Sequence, residues 1–229
     1  MGYIFLAGAS RGVGREIAKQ LVIKKHKVLA LLRSDPLAEG LRHRAEADLV
    51  AMGVTVVKGD ALNADLMKAV MGDFPIDAVM STIGSLPEDK GTRADFAGNK
   101  NLIDAADAVG AKHFLLISSI GSGNSEQALP PPVLETLGPM LKEKAQAENH
   151  LAASGLTYTV IRPGGLVSES ATGQEVLTED PTVAGSIPRA GVALLAVRCF
   201  SSDKAKNKVF SAIDLSMQRT EKAVDVVEL

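Results

Sequence analysis

The first fourteen residues constrain this chain most. A short apolar run, Tyr3-Ile-Phe-Leu-Ala7, passes directly into Gly8-Ala-Ser-Arg-Gly-Val-Gly14, and apolar residues then recur at Val13, Ile17, Leu21 and Val22 with helical spacing. A buried strand, a glycine turn and a helix start in that order make the first half of a βαβ unit. Glycines let the backbone approach a phosphate closely, and the free N–H groups and positive dipole end of the helix face the anion.

The same turn admits a rival reading. Gly8-Ala-Ser10-Arg-Gly12 matches the G-x-S-x-G nucleophile elbow, which also joins a strand to a helix. Gly14, however, has no role in an elbow. An elbow strand at the start of the chain also lacks a preceding loop to supply the second oxyanion donor. The downstream histidines, His113 and His150, read more simply as a strand-start residue and a helix-surface residue. The phosphate reading is the better one.

Apolar, β-branched runs at about 3–7, 28–33, 54–58, 77–83, 112–118, 156–161 and 208–213 alternate with amphipathic stretches. That alternation predicts a single Rossmann-type α/β domain over residues 1–229, a doubly wound, mostly parallel sheet with helices on both faces and a core from 3 to 214. Helices are expected over Gly12–Lys25, from Asp35-Pro36 to Met52, from an Asn63 cap to Met71, and over Ala94–Val109, Pro139–Ser154 and Pro188–Phe200. Glycines at 53, 110 and 155 stop three of them. Two stretches read as loops beside a substrate site: 121–138, with prolines at 130–132, and 164–186, rich in Gly, Ser, Thr and acids. The tail 216–229 is weakly patterned.

The 229 residues suffice for one domain with an ample core. Twenty-five basic against 27 acidic residues give a net charge of −2, so no nucleic-acid or membrane surface is expected. Cys199 is the only cysteine, which excludes an internal disulfide, and its apolar surroundings make it a small buried hydrophobe. No run approaches membrane-spanning length, no metal site is expected, and the chain starts in a strand rather than a signal peptide. The expected location is cytoplasmic, or the plastid stroma if a transit peptide was removed ahead of residue 1. Expected partners are a small-molecule acceptor or a protein, with the chain a monomer or homodimer.

The second strand ends at Leu32-Arg33. In NAD-binding proteins an acid near this point takes the ribose hydroxyls, whereas a basic residue accommodates a 2′-phosphate. Arg33 stands there and Arg11 approaches from the turn, which favours NADP, with NADPH preferred over NADH; the opposing reading leaves both arginines solvated and gives the ribose to Asp35. Further elements fall at the carboxyl ends of successive strands, where open α/β sheets bind ligands: Gly59-Asp60-Ala61, Ser81-Thr-Ile-Gly84 and Ser118-Ser119-Ile-Gly121. An aspartate at 60 can accept from an adenine amine.

Together these residues resemble the atypical short-chain dehydrogenase/reductase family, in its NmrA-like and biliverdin/flavin-reductase-like NAD(P)-binding branch. The matching pieces are Gly8–Gly14, Gly59-Asp60, Ser81–Gly84, Lys112–Gly121, Lys144-Ala-Gln-Ala-Glu148, Ser154–Gly165 and Gly185-Ser-Ile-Pro-Arg189. The resemblance implies that Gly8, Gly12 and Gly14 cradle a pyrophosphate with backbone donors from Ser10 to Val13. It places Asp60 and Ala61 beside the adenine, and Thr82, Ile83 and Gly84 along the ribose and nicotinamide. Lys144 would grip the nicotinamide-ribose hydroxyls, Pro163 and Gly164 would meet the carboxamide end, and Ser119 would be the active-site serine.

Two departures matter. The family's tyrosine, where present, lies four residues before the lysine, and here that position is Met140, which donates no proton. Tyr158, inside a strand, reads as structural. Gly191 also stands where the family's Arg-x-Asp motif carries a helix-capping carboxylate. Two functions remain open on these grounds. One is an NADP(H)-dependent oxidoreductase passing hydride to a conjugated acceptor such as a flavin, quinone or tetrapyrrole, whose reduced anion is delocalised, with Ser119 and Lys144 as catalytic residues. The other is a non-catalytic NADP(H)-binding redox sensor or assembly factor.

Overall fold

The continuous apolar runs of the sequence are realised as strands of a sheet buried on both faces. In the computed structural model, which describes residues 2–33, 39–85 and 93–229, the strands β1 (Tyr3–Ala7), β2 (Lys27–Leu32), β3 (Thr55–Lys58), β4 (Ile76–Ser81), β5 (His113–Ile117) and β6 (Tyr158–Pro163) run parallel in the spatial order 3-2-1-4-5-6. Ile4 and Leu6 face one core while Phe5 and Ala7 face the other. The helices α1 (Gly12–Ile23), α2 (Glu39–Ala51), α3 (Ala64–Gly72), α4 (Ala97–Ala108) and α5 (Pro131–Ala153) connect these strands. Ile17 and Leu21 of α1 join the first core; Met67 of α3, Leu102 of α4 and Leu151 of α5 join the second.

The predicted single α/β domain is therefore the observed one, with further strands beyond β6. β7 (Gly165–Val167) and β9 (Ser186–Pro188) pair as a small parallel sheet, and β10 (Lys208–Asp214) extends the main sheet beside β6. β8 (Glu175–Thr178) closes the edge antiparallel to β10. α6 (Arg189–Phe200) packs with α1 on the first core. Asn63 caps α3 through its side chain, accepting from the Leu66 N–H at 3.0 Å, and Gly53, Gly110 and Gly155 all take positive φ after their helices. The expected cap at Asp35-Pro36 lies outside the described residues.

Two loop expectations are corrected. Residues 121–138 are largely helical: a 3₁₀ turn covers Gly123–Ala128, and α5 begins at Pro131 rather than Pro139. Proline is well suited to a first helical turn, where its missing N–H is not needed. Pro139 lies inside α5 but on its exposed side, where a carbonyl left without its helical partner is open to solvent. The 164–186 stretch carries three short strands, too brief for their alternation to register in the sequence. The tail is anchored too: the Val227 N–H donates to the Leu177 carbonyl at 2.8 Å, and Val227 and Leu229 pack on the first core.

Cys199 is fully buried and burial pushes its thiol up to about 12, in keeping with a core hydrophobe. His113 begins β5, buried against Phe200 and hydrogen-bonded to Thr159, with its ring held down to about 4 by desolvation. It sits at the amino end of the sheet, whereas Ser10 lies beyond the carboxyl end of β1. His150 pairs with Asp104 at 2.7 Å on α4. Neither histidine serves Ser10 as a base.

Candidate nucleotide and substrate crevice

Strand order reverses at β1, whose neighbours are β2 and β4, so the crevice of an open α/β sheet falls at the carboxyl ends of these strands. The glycine turn sits there. Gly8 has φ of 90° and Gly12 of 58°, conformations that side chains resist. Gly14 has ordinary helical geometry but no room: a Cβ there would lie 2.2 Å from the Gly8 carbonyl oxygen and 2.6 Å from Thr82 Oγ1. A Cβ on Gly8 would lie 2.3 Å from the same hydroxyl. Thr82 binds back to this turn, its N–H donating to the Ala7 carbonyl at 3.0 Å and its hydroxyl lying 3.2 Å from that oxygen. The turn is thus set by backbone packing between β1, α1 and the end of β4.

α1 opens with no side-chain cap and no acidic residue in its first turn. Its leading N–H groups and positive end are left for an anion, and Gly12 leaves the approach free. The cradle fits a pyrophosphate. Arg11, the N-cap residue, is exposed, and Arg33 follows β2 at the same end of the sheet, also exposed. Asp60 uses one carboxylate oxygen to accept the Leu62 N–H at 2.9 Å, and Ala61 is buried with its carbonyl accepting from Asn101.

Beyond β4 the site changes character from backbone to ion pairs. Lys144 on α5 reaches Asp95, just ahead of α4, with Nζ 3.0 Å from Oδ1; the side chains are 12% and 0% exposed. Gly84 lies over this pair, since a Cβ on it would sit 2.9 Å from that oxygen and 3.0 Å from the ammonium. Asn99, Leu116, Ser118 and Ala147 surround the pair. Four residues further along α5, Glu148 meets Arg162 of β6, both 7% exposed, with Arg162 Nη2 2.5 Å from Oε2. Ser118 and Ser122 donate to Glu148, and Arg162 reaches Asn124, so the 118–124 segment is bolted to α5 and β6.

Of the residues singled out from sequence, Gly8 and Gly14 pack on Thr82, and Gly84 on Lys144, all at the carboxyl ends of the strands. Ser119 is half-buried, and its hydroxyl donates to the Ile120 carbonyl at 2.9 Å. Its neighbour Ser118 is the serine beside Lys144. Pro163 ends β6, and Gly164 donates to the Ala212 carbonyl at 2.9 Å, tying that corner to β10.

Sequence reasoning singled out neither Asp95 nor Asn99, and gave no role to Glu148, Arg162 and Arg189 although they lie in its matching pieces. A charge inside the apolar run of β6 was the available signal for Arg162, because buried charges demand partners. Arg189, the first residue of α6, lies over the glycine turn: its Cδ and Nε are 3.8 Å from where a Gly12 Cβ would be, and Nη1 donates to Ser168 Oγ at 3.1 Å. The carboxylate absent from Gly191 is supplied from elsewhere. Glu175 of β8 occupies that space, its Cγ 2.3 Å from a Cβ built on Gly191, so a negative charge still faces the first turn of α6.

Comparison with known proteins decides the family. The profile described as NAD(P)H-binding matches residues 8–203. The chain belongs to the NAD(P)H-binding family. It is 33% identical over 218 residues to an uncharacterized chloroplastic protein of Arabidopsis thaliana, covering 92% of this chain and 76% of that one. It is 34% identical over 164 residues to sanguinarine reductase of Eschscholzia californica, covering 66% of this chain and 58% of that one. Among solved structures, ChuY, an anaerobillin reductase from Escherichia coli O157:H7, matches with a TM-score of 0.81 at 27% identity, over 95% of this chain and all of that one. The atypical short-chain dehydrogenase/reductase resemblance is upheld, and the domain is a reductase-like NAD(P)H-binding unit. No described helix is long and apolar enough to cross a membrane.

Proposed function

We propose that this domain is an NADPH-dependent reductase of a conjugated small-molecule acceptor, with a tetrapyrrole-like ring system the favoured class. The observation that carries the reading is the Lys144 ammonium, nearly buried and held 3.0 Å from Asp95 at the same carboxyl end of the sheet as the glycine turn. When bound, the nicotinamide supplies a hydride. The Gly12–Gly14 N–H groups hold its pyrophosphate, Arg11 and Arg33 take the 2′-phosphate, and Asp60 and Ala61 border the adenine. Thr82, Ile83 and Gly84 line the ribose, Lys144 holds its hydroxyls, and Pro163 and Gly164 meet the carboxamide. Ser119 orients the acceptor.

With methionine at 140 the chain puts no phenol beside the lysine, so the acceptor must tolerate an anion until water protonates it. Extended conjugation does so; a simple ketone does not. Two relatives carry reductase names for polycyclic or tetrapyrrole-derived substrates, which supports the choice. Met140 equally favours a second reading, an NADP(H)-binding sensor or assembly protein without turnover.

The deciding experiment follows NADPH oxidation against linear tetrapyrroles, flavins and quinones. The proposal expects turnover of at least one acceptor, lowered at least about tenfold by Lys144→Ala, a loss equal to one charged hydrogen bond, and lowered less by Ser119→Ala. Tight NADPH binding with no turnover across the panel would replace the reductase with the second reading.

A further inference from the structure

We propose that Asp95 is the positioning residue of Lys144, an orienting role that Met140 cannot fill; the proposal rests on the assignment of Lys144 to the nicotinamide-side ribose. In a helix, residues 140 and 141 lie a turn before 144 on its face, and neither the Met140 thioether nor the Leu141 alkyl chain pulls on an ammonium. The orientation must come from another element, and the structure shows which. Asp95 is fully buried, and its Oδ1 is the one buried side-chain polar atom among the described residues with no hydrogen bond. The Lys144 ammonium lies 3.0 Å away as an ion-pair partner. At that distance the carboxylate attracts the charge, and an ammonium with three N–H groups keeps donors for another acceptor.

The carboxylate is itself immobilised. Oδ2 accepts the Ser85 N–H at 2.8 Å, Ser85 Oγ accepts the Ala94 N–H at 3.0 Å, and the Asp95 carbonyl accepts from Asn99 Nδ2 at 2.8 Å. Asn99 is in turn fixed by the Ser81 hydroxyl at 2.6 Å, at the end of β4. Gly84 completes the arrangement from above, since any side chain there would press on both Oδ1 and Nζ. Asp95 thus transmits the position of the β4 end to an ammonium on α5.

The test compares two nucleotide fragments by titration calorimetry on wild type, Asp95→Asn, Lys144→Met and the double variant. Phospho-ADP-ribose carries the second ribose; 2′,5′-ADP does not. Asp95→Asn should weaken phospho-ADP-ribose and NADPH about tenfold while leaving 2′,5′-ADP unchanged, and the double variant should bind no worse than Lys144→Met alone. Asp95→Glu, which keeps the charge, should recover part of the loss. Equal binding of phospho-ADP-ribose by wild type and Asp95→Asn would overturn the proposal, as would equal weakening of both fragments, the mark of a structural role. Failure of wild type to bind NADPH or 2′,5′-ADP would instead reject the nucleotide reading beneath it.

Discussion

The two ends of the crevice are built in different materials. The β1–α1 end is backbone against backbone: Gly14 on the Gly8 carbonyl, Gly8 under Thr82, and helix N–H groups left open. The β5–β6 end is side chain against side chain, two buried ion pairs set one helical turn apart on α5. A backbone cradle suits a phosphate, whose charge is satisfied by N–H groups that cannot move away. Buried ion pairs suit a region where a charged side chain must be held in a dry place, because removing either partner is so costly that the geometry is fixed.

That contrast is open to attack from both sides. The largest effect is expected from Arg162→Ala, which strands Glu148 among Ser118 and Ser122. Stability should fall by about 3–5 kcal/mol, read as the urea midpoint, and a loss under about 1 kcal/mol would make the pair a surface-like contact. Gly14→Ala should act the other way round. It should cost about 1–3 kcal/mol of stability through overpacking, while NADPH affinity drops roughly tenfold to a hundredfold as the turn shifts. Unchanged affinity would show that the close approach to Gly8 is not what shapes the cradle.

Smaller is the effect of Arg189→Ala. The guanidinium over Gly12 faces the part common to both nucleotides, so NADPH and NADH should weaken alike, roughly three- to tenfold. A loss confined to NADPH would move Arg189 to the 2′-phosphate. Smallest is the pH response at the far, amino end of the sheet. Burial holds His113 near 4 against 6.5 in the unfolded chain, so the unfolded state takes up the proton first. Stability should decline as pH falls from 6.5 towards 4, and His113→Gln should flatten that slope.

The same contrast explains what could be read from sequence. Glycine spacing encodes the turn locally, so Gly8, Gly12 and Gly14 are legible in the sequence, as are the sheet and the buried Cys199. Ion pairs encode nothing locally. Asp95 finds Lys144 only because the chain folds α4 and α5 onto the same strand ends, and Glu148 finds Arg162 across 14 residues and a change of element. The proline-rich 121–138 stretch misleads for a related reason. Prolines read as helix breakers, yet Pro130 stands at the N-cap of α5 and Pro131 and Pro132 in its first turn, positions that only the folded chain distinguishes. Gly191 shows the same blindness, since the carboxylate it lacks arrives from Glu175 on another strand.

The central claim is that the Gly8–Gly14 turn, with Arg11 and Arg33, holds NADPH. Calorimetric titration of NADPH and NADH into wild type and Arg33→Ala tests it most directly. The account predicts NADPH at least about tenfold tighter than NADH in wild type, in line with one charged contact to a 2′-phosphate, and a gap that closes in Arg33→Ala. NADH binding as tightly as NADPH in wild type would contradict it.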